Sequence, residues 1–194
     1  QNSLTVTASA LKQIVSLAQT MASNLLSIAG TTEASTVTTT ATEASSTLSQ
    51  IATALNTSTG AGYVFAGQTS TEAPVKDPSD VATGTTSTSI ANTLQALASG
   101  SSVDSVLQTA TSLMNSDNSI FSSTISTASS VDGTASLTTA SSQQTSAVTG
   151  SSASTTYGVV ATQGNTSDVS LTSTGSPIKD LMRDMMLISG MNGM

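Results

Sequence analysis

The chain has 194 residues, of which only 8% are charged and 2% aromatic, and its formal net charge at neutral pH is −7. Its four basic residues form no cluster that could neutralise phosphates, which makes nucleic acids and anionic membrane surfaces poor candidates as partners: Lys12, Lys76, Lys179 and Arg183. The sequence has neither Cys nor His, which removes disulfides, thiolate nucleophiles, the usual catalytic base and most zinc sites.

The acidic residues do not supply an alternative catalytic set. Glu33 and Glu43 are too far from Glu72 along the chain to indicate a glycosidase pair. The spacing of Glu72, Asp77 and Asp80 matches no EF-hand calcium-binding loop, so these side chains are expected to keep a loop solvated. We therefore predict no catalytic residue, no cofactor and no metal site, and we expect a protein that is not an enzyme.

One charge-free run, residues 13–32, is long enough to cross a bilayer. Gln, Ser, Thr and Asn recur throughout it, however, and such polarity argues against a membrane span. The start of the chain also lacks the basic stretch and compact apolar run of a cleavable signal peptide. Because the chain begins with Gln1 and not with Met, we expect a fragment of a longer protein.

Apolar residues recur at helical spacing from the start of the chain. Two interleaved seven-residue series share one helical face: Leu4, Leu11, Ala18 and Leu25, with Thr7, Ile14, Met21 and Ile28. A weaker pattern of the same kind follows over 34–55, and Gly30 is placed to end the first helix. The pattern predicts an antiparallel helical hairpin. We expect five residues to form its internal packing: Leu11, Ile14, Leu25, Leu48 and Ile51.

The helical pattern stops before two glycines, Gly60 and Gly62. Tyr63–Phe65 then forms a short β-prone run that holds half of the few aromatic residues. Turn-forming residues follow it, so residues 63–82 are predicted to form a β-hairpin or a looped turn.

Two short helices are predicted next, over 87–100 and after Ser102. Residues 117–175 are rich in Ser, Thr, Gly and Val, and strand-like runs occur at Tyr157–Ala161 and Val169–Leu171. This composition fits either a small β-rich domain or a partly disordered segment, and we favour the ordered domain.

A last helix is predicted to begin at Ser176–Pro177, with Pro at the first helical position. Its apolar face comprises Ile178, Leu181, Met182, Met185 and Ile188. A helix with so much Leu and Met needs a partner, and the hairpin of residues 1–58 is the expected one. The methionines either pack on that hairpin or form an adaptable surface for another subunit.

Together these elements predict an α+β protein. We expect an elongated antiparallel helical rod with a β-hairpin and a small β-rich outer insertion. Residues 1–58 and 176–194 would form the helical core, 59–86 the β-hairpin or loop, and 87–175 the outer insertion, with short helices before strands.

One segment resembles the hook–filament junction proteins of the flagellin family: Tyr63, Val64, Phe65, Ala66 and Gly67, continuing through Gln68–Thr69 to Pro74–Val75. In that family an aromatic–Leu/Val–Phe–Ala/Ser–Gly–Thr run follows the second long helix, and the run has the same position here. Ser176–Met182 is similar to the start of a later core segment of the family, and Tyr157–Ala161 is similar to a family strand.

The resemblance implies a structural subunit of the bacterial flagellum that joins hook to filament and has no enzymatic activity. It implies an extracellular location reached through the flagellar type III export apparatus, for which an export chaperone is a conceivable partner. It also implies axial polymerisation with copies of itself and with related axial proteins, namely hook-associated protein and flagellin. The family also has terminal helices that coil together in the assembled tube, and we expect the chain to be a core from which these helices have been trimmed.

Other classes of protein fit less of the sequence. Filament flagellin shares the same plan and is the first alternative. A Ser/Thr-rich surface adhesin module would explain the composition of residues 100–175, but not the helical hairpin or the last helix. A chemoreceptor hairpin would need a longer coiled coil, and Pro74, Pro78 and Pro177 interrupt the pattern.

Overall fold

A computed structural model describes residues 2–28, 33–66, 70–117, 119–122, 156–161, 165–170 and 177–192. These residues contain six helices: α1 (Asn2–Ile28), α2 (Ala34–Leu55), α3 (Thr85–Thr93), α4 (Gln95–Ala98), α5 (Val103–Ser116) and α6 (Pro177–Ser189). They also contain two antiparallel β-hairpins, one of β1 (Ser58–Thr59) with β2 (Gly62–Tyr63) and one of β3 (Thr156–Ala161) with β4 (Asn165–Ser170). The predicted Gly30 helix end lies outside the described residues.

α1 and α2 pack against each other in opposite directions. Asn24, near the end of α1, donates a hydrogen bond of 2.8 Å to Glu43 in α2. The buried positions of α1 follow a helical period, which explains why one face meets α2: Ala10, Ile14, Val15, Ala18, Met21, Ala22, Leu25 and Ile28. The predicted pair of helices is confirmed, with α1 roughly 40 Å long at 1.5 Å per residue.

Threonines occur throughout α2, although β-branched residues are weak helix formers. Four of them donate their hydroxyl protons to the carbonyl oxygen four residues earlier, over 2.9–3.1 Å: Thr39, Thr40, Thr42 and Thr53. This bond is the one that a helical threonine can form without leaving the helix. Packing against α1 and α6 supplies the rest of the stability of α2.

Of the two alternatives predicted for residues 63–82, the looped turn agrees with the described residues, and the hairpin lies just before them. The hairpin lies at 58–63, where Ser58 pairs with Tyr63 and Thr59 with Gly62, and not within 63–82. Gly62 determines this position because its φ is +114°, a conformation that side chains other than Gly rarely adopt. The β-prone residues after Tyr63 therefore lie in turns.

Val75 links the turn region after α2 to Phe121, which follows the last of the central helices. Val75 forms an isolated antiparallel bridge with Phe121, in which Lys76 N–H donates to Ile120 O at 2.9 Å and Ser122 N–H donates to Pro74 O at 2.8 Å. Between these two segments lie α3, α4 and α5. The Ser102 hydroxyl caps α5 by accepting from Ser105 N–H at 3.2 Å, as expected for a helix that begins after Ser102.

α6 lies inside the helical bundle and contacts α2, α3 and α5. It begins at Pro177, where the sequence predicts it. The prediction of a single apolar face is too narrow, however, because every residue from Asp180 to Ile188 is buried. At its start, Lys179 Nζ lies 5.8 Å from the ring centroid of Phe121, within the range of a cation–π contact.

The described part of the chain is thus mainly helical, with short antiparallel hairpins, which agrees with an α+β class. Its core is one hydrophobic cluster that includes residues of α1, α2, α3, α5 and α6. The rod shape, the outer insertion and the division into 1–58 with 176–194, 59–86 and 87–175 stay predictions.

Candidate functional site

A cluster of charged side chains lies on the buried helix α6. Arg183 is 1% exposed, and its neighbours Asp180 and Asp184 are 3% and 4% exposed. Arg183 Nε and Nη2 both donate to Asp184 Oδ1, at 3.0 and 2.9 Å, and Nη1 lies 3.4 Å from Asp180 Oδ1. Charges so far from water remain ionised at tolerable cost only when they are paired and hydrogen-bonded, which this arrangement achieves.

Thr111 connects this cluster to α5. Arg183 Nη1 donates to Thr111 Oγ1 at 2.9 Å, and the Thr111 hydroxyl itself donates to Leu107 O at 2.7 Å. Because its single proton is committed to its own helix, the Thr111 oxygen is oriented to accept from the guanidinium. We refer to Asp180, Arg183, Asp184 and Thr111 as the Arg183 cluster.

The Arg183 cluster joins helices and is enclosed by them. The described residues contain no group of three or more His, Cys, Asp or Glu side chains arranged to hold a metal ion. The guanidinium faces carboxylates and a hydroxyl of the same chain, at distances that account for its Nε, Nη1 and Nη2 atoms. These contacts hold α6 against α5.

The predicted packing residues occupy different environments. Four of them, Ile14, Leu25, Leu48 and Ile51, are buried in the common hydrophobic cluster. Leu11 is half-buried and lies towards the start of α1, where Ala10 is the first buried residue.

The family-like run lies at the corner after α2. Tyr63, Val64 and Phe65 are half-buried, Ala66 is fully buried, and Gly67 lies outside the described residues. Their backbone holds the corner together, because Tyr63 N–H donates to Ser70 O at 2.8 Å and Val64 N–H donates to Thr57 O at 3.0 Å. The side chain of Phe65 packs against the core.

Asn56, which we did not single out from the sequence, closes the same corner. Its Nδ2 donates to Val75 O and its Oδ1 accepts from Val75 N–H, both at 2.8 Å. The side chain thus pairs with residue 75 on one side as a neighbouring strand would, while Phe121 pairs with it on the other side. An Asn directly after a predicted helix is the sequence feature that could have indicated this role.

Acidic side chains gather where the turn region meets the start of α3. A groove of about 230 Å³ here is lined in part by Asp77, Asp80 and Thr86. A hydrogen bond from the Ser79 side chain holds the pKa of Asp77 below its usual value, against slight desolvation. Partial burial acts to raise the pKa of Asp117, but hydrogen bonds from Ser119 and Thr86 and the charge of Lys76 outweigh burial and lower it.

The outer surface of the α1–α2 pair is almost free of charge. Lys12 is the one ionisable residue of α1, and Glu43 is the one ionisable residue of α2. Two large apolar side chains of α1 are exposed, Leu4 to 76% and Leu26 to 61%. Leu4 belongs to the seven-residue series that continues into the buried Ala18 and Leu25, whereas Leu26 belongs to neither series.

A second groove, of about 330 Å³, lies between the end of α1 and the start of α2. Its lining is mostly Ser, Thr and Asn, with Glu43 as its charged residue. No helix in the described part of the chain is long and apolar enough to span a membrane. Comparison of the chain with protein-family models, with curated proteins and with solved structures finds no match to any of them.

Proposed function

We propose that this protein is an extracellular structural subunit of the bacterial flagellum, at the junction of hook and filament. In this role it passes through the flagellar type III export apparatus and polymerises along the flagellar axis with copies of itself, with hook-associated protein and with flagellin. The protein acts mechanically and catalyses no reaction. The α1–α2 pair and α6 would belong to an elongated axial rod, and residues 87–175 to an insertion that points away from the axis.

The observation that carries the proposal is the exposed start of the apolar stripe of α1. The same face that is buried from Ala10 to Ile28 continues to Leu4, which is 76% exposed. An apolar stripe with a seven-residue repeat is typical of a helix that pairs with another helix. In a subunit that polymerises along its helices, a neighbouring subunit would supply that second helix.

Two further features support the proposal. The run Tyr63–Ala66 begins in the β1–β2 hairpin that follows α2, at a corner held by Asn56, and this agrees with the order along the chain that the family resemblance implies. The nearly uncharged, Ser/Thr-rich surface of α1 and α2 suits close packing between subunits, because few ions would have to be desolvated.

Electron microscopy of cells that lack the full-length gene tests this proposal. Hooks without filaments, with flagellin lost to the medium, are the result expected for a junction protein. Hooks that end in a bare junction would identify the subunit as filament flagellin. Normal flagella and normal motility, in a strain without a second copy of the gene, would reject a flagellar role.

A further inference from the structure

Apart from the Arg183 cluster, the buried surface of α6 is chemically uniform. Eight of its buried side chains, counting the residue just after the helix, are Ile, Leu or Met: Ile178, Leu181, Met182, Met185, Met186, Leu187, Ile188 and Met191. Methionine is unbranched and adapts to irregular spaces. A core made of such residues attracts a helix strongly but distinguishes poorly between different rotations about the helix axis or different axial positions.

The polar contacts of α6 depend much more on position. A guanidinium presents its donors in a fixed plane, and a hydrogen bond weakens steeply once its distance and angle are lost. Rotating α6 by one residue, about 100°, or sliding it by one turn, about 5.4 Å, would separate Arg183 from Thr111 and leave a buried cation without this acceptor.

We propose that the Arg183 cluster determines the register of α6. It selects the one rotation and axial position in which α6 docks between α2, α3 and α5, while the apolar residues supply the attraction. The two ion pairs are consistent with this role, because Asp180 and Asp184 flank Arg183 on the same helix and accompany it in any position of α6. Thr111 on α5 is the partner that marks one position.

Gly190 permits the same register without selecting it. A Cβ atom at residue 190 would lie 2.3 Å from Ala91 O, so the end of α6 approaches α3 closely because Gly has no side chain. Because Gly190 has no Cβ atom, α6 can take this position without a clash, but nothing at residue 190 attracts α6 to it. Selection between positions therefore falls to the directional contacts of Arg183.

The test replaces the whole cluster with apolar residues in the full chain: Asp180→Leu, Arg183→Met, Asp184→Leu and Thr111→Val. Removing Arg183 together with both of its carboxylate neighbours avoids leaving any one of these three charges buried without its opposite charge, so the variant is expected to fold with a thermal midpoint no lower than that of the parent. Methionine methyl groups labelled with ¹³C then report the position of α6 by NMR. Met182, Met185 and Met186 should each change from one signal to several, while Met21 on α1 keeps one.

Two further variants sharpen the result. Arg183→Lys keeps the positive charge but loses the planar donor set, and it should also produce several signals for each methionine of α6. Thr40→Val is the matched control for Thr111→Val, because Thr40 is buried and its hydroxyl bonds to Thr36 O within its own helix. It should leave every methionine signal single.

Two outcomes would overturn the proposal. Single, sharp signals from Met182, Met185 and Met186 in the apolar variant would show that packing alone selects the register. Failure of that variant to fold would also count against it, because the proposal requires the apolar residues to be sufficient for docking and insufficient for orientation. Neither outcome depends on whether the protein is a flagellar subunit.

Discussion

One amide side chain holds the corner that follows α2. Asn56 bonds to both the N–H and the carbonyl of Val75, whose own side chain is completely buried. Water cannot easily replace these partners, so the two backbone groups of Val75 rely on Asn56. Phe65 packs against the core from the same corner. The hydrogen bonds of Asn56 therefore also support the apolar packing of Phe65.

We predict that Asn56→Ala lowers the free energy of unfolding by about 1–3 kcal/mol, because it leaves buried backbone groups without partners. Urea unfolding followed by circular dichroism measures this change. Asn24→Ala is the control, since it removes a side-chain hydrogen bond at the surface, to Glu43, and should cost less than about 0.5 kcal/mol. Equal losses at the two positions would contradict the assigned role of Asn56.

Asp117 connects the end of α5 with the start of α3. Its carboxylate accepts hydrogen bonds from the Thr86 hydroxyl and, at 2.7 Å, from Ser119 N–H. Thr86 lies in the first turn of α3, where a negative charge is favourable because of the helix dipole. Partial burial acts to raise the pKa of Asp117 in the folded protein, but these contacts outweigh burial and keep the pKa below its usual value.

A lowered folded-state pKa means that the Asp117 carboxylate stabilises the protein above the unfolded-state pKa, near 3.8, and loses this effect as the pH falls through the folded-state pKa. We predict that Asp117→Asn is less stable than the parent at neutral pH and that the difference disappears in acid. Urea unfolding midpoints of both proteins, measured from pH 7 downwards, give the comparison. A difference that stays constant to the lowest pH would exclude a contribution from the ionised carboxylate.

The end of α6 lies unusually close to α3, at Gly190 and Ala91. Gly190→Ala would place a methyl group 2.3 Å from Ala91 O, so one of the two helices must move. We predict a loss of about 1–3 kcal/mol in the free energy of unfolding, as for other overpacked sites.

Ser189→Ala is the control for Gly190→Ala, because it adds no volume and removes only a hydroxyl bonded to Met186 O of its own helix. It should cost less than about 1 kcal/mol. Thermal unfolding of both variants provides the measurement, and an unchanged midpoint for Gly190→Ala would show that α3 and α6 can separate freely.

The sequence predicts α1 and α2 well because their pattern is local. Ile14, Met21, Ile28, Leu48 and Ile51 repeat at a helical period and all are buried where that period places them. Leu4 and Leu11 obey the same period but are exposed and half-buried, because burial also depends on how far a partner helix reaches. Periodicity indicates which face of a helix is apolar, but it does not indicate how far along the helix a partner buries that face.

The environment of α6 was harder to predict for the opposite reason. Asp180, Arg183 and Asp184 look like the solvated face of an amphipathic helix, and that reading is the usual one for three charged residues. Their partner Thr111 is 72 residues earlier in the chain, so no local pattern links it to Arg183. Likewise, the pairing of Asn56 with Val75 depends on a tertiary corner that single-residue preferences do not encode.

For the whole molecule, the proposed assembly makes different demands on two exposed leucines of α1. Leu4 continues the apolar stripe of the α1–α2 pair, and Leu26 lies away from it. Both are mostly exposed, so Leu4→Ser and Leu26→Ser should each change the free energy of unfolding by less than about 0.5 kcal/mol.

We predict that Leu4→Ser, introduced into the full-length gene, reduces swimming in soft agar and the number of filaments per cell, whereas Leu26→Ser leaves both unchanged. The reason is that only Leu4 lies on the stripe proposed to meet a neighbouring subunit. Circular dichroism of the two proteins serves as the check on folding. Loss of filaments with Leu26→Ser alone would place the subunit contact on the other face of α1.

The threonine hydroxyls that bond back to their own helices also change what the surface presents to its surroundings. At Thr39, Thr42, Thr53 and Thr109, the hydroxyl proton is donated inward to a backbone carbonyl. The outer part of each such side chain is then its methyl group, with an oxygen that has no proton left to offer. At these positions the helices therefore offer water acceptors but no hydroxyl donors, so their surface has fewer hydrogen-bond donors than its Thr content suggests.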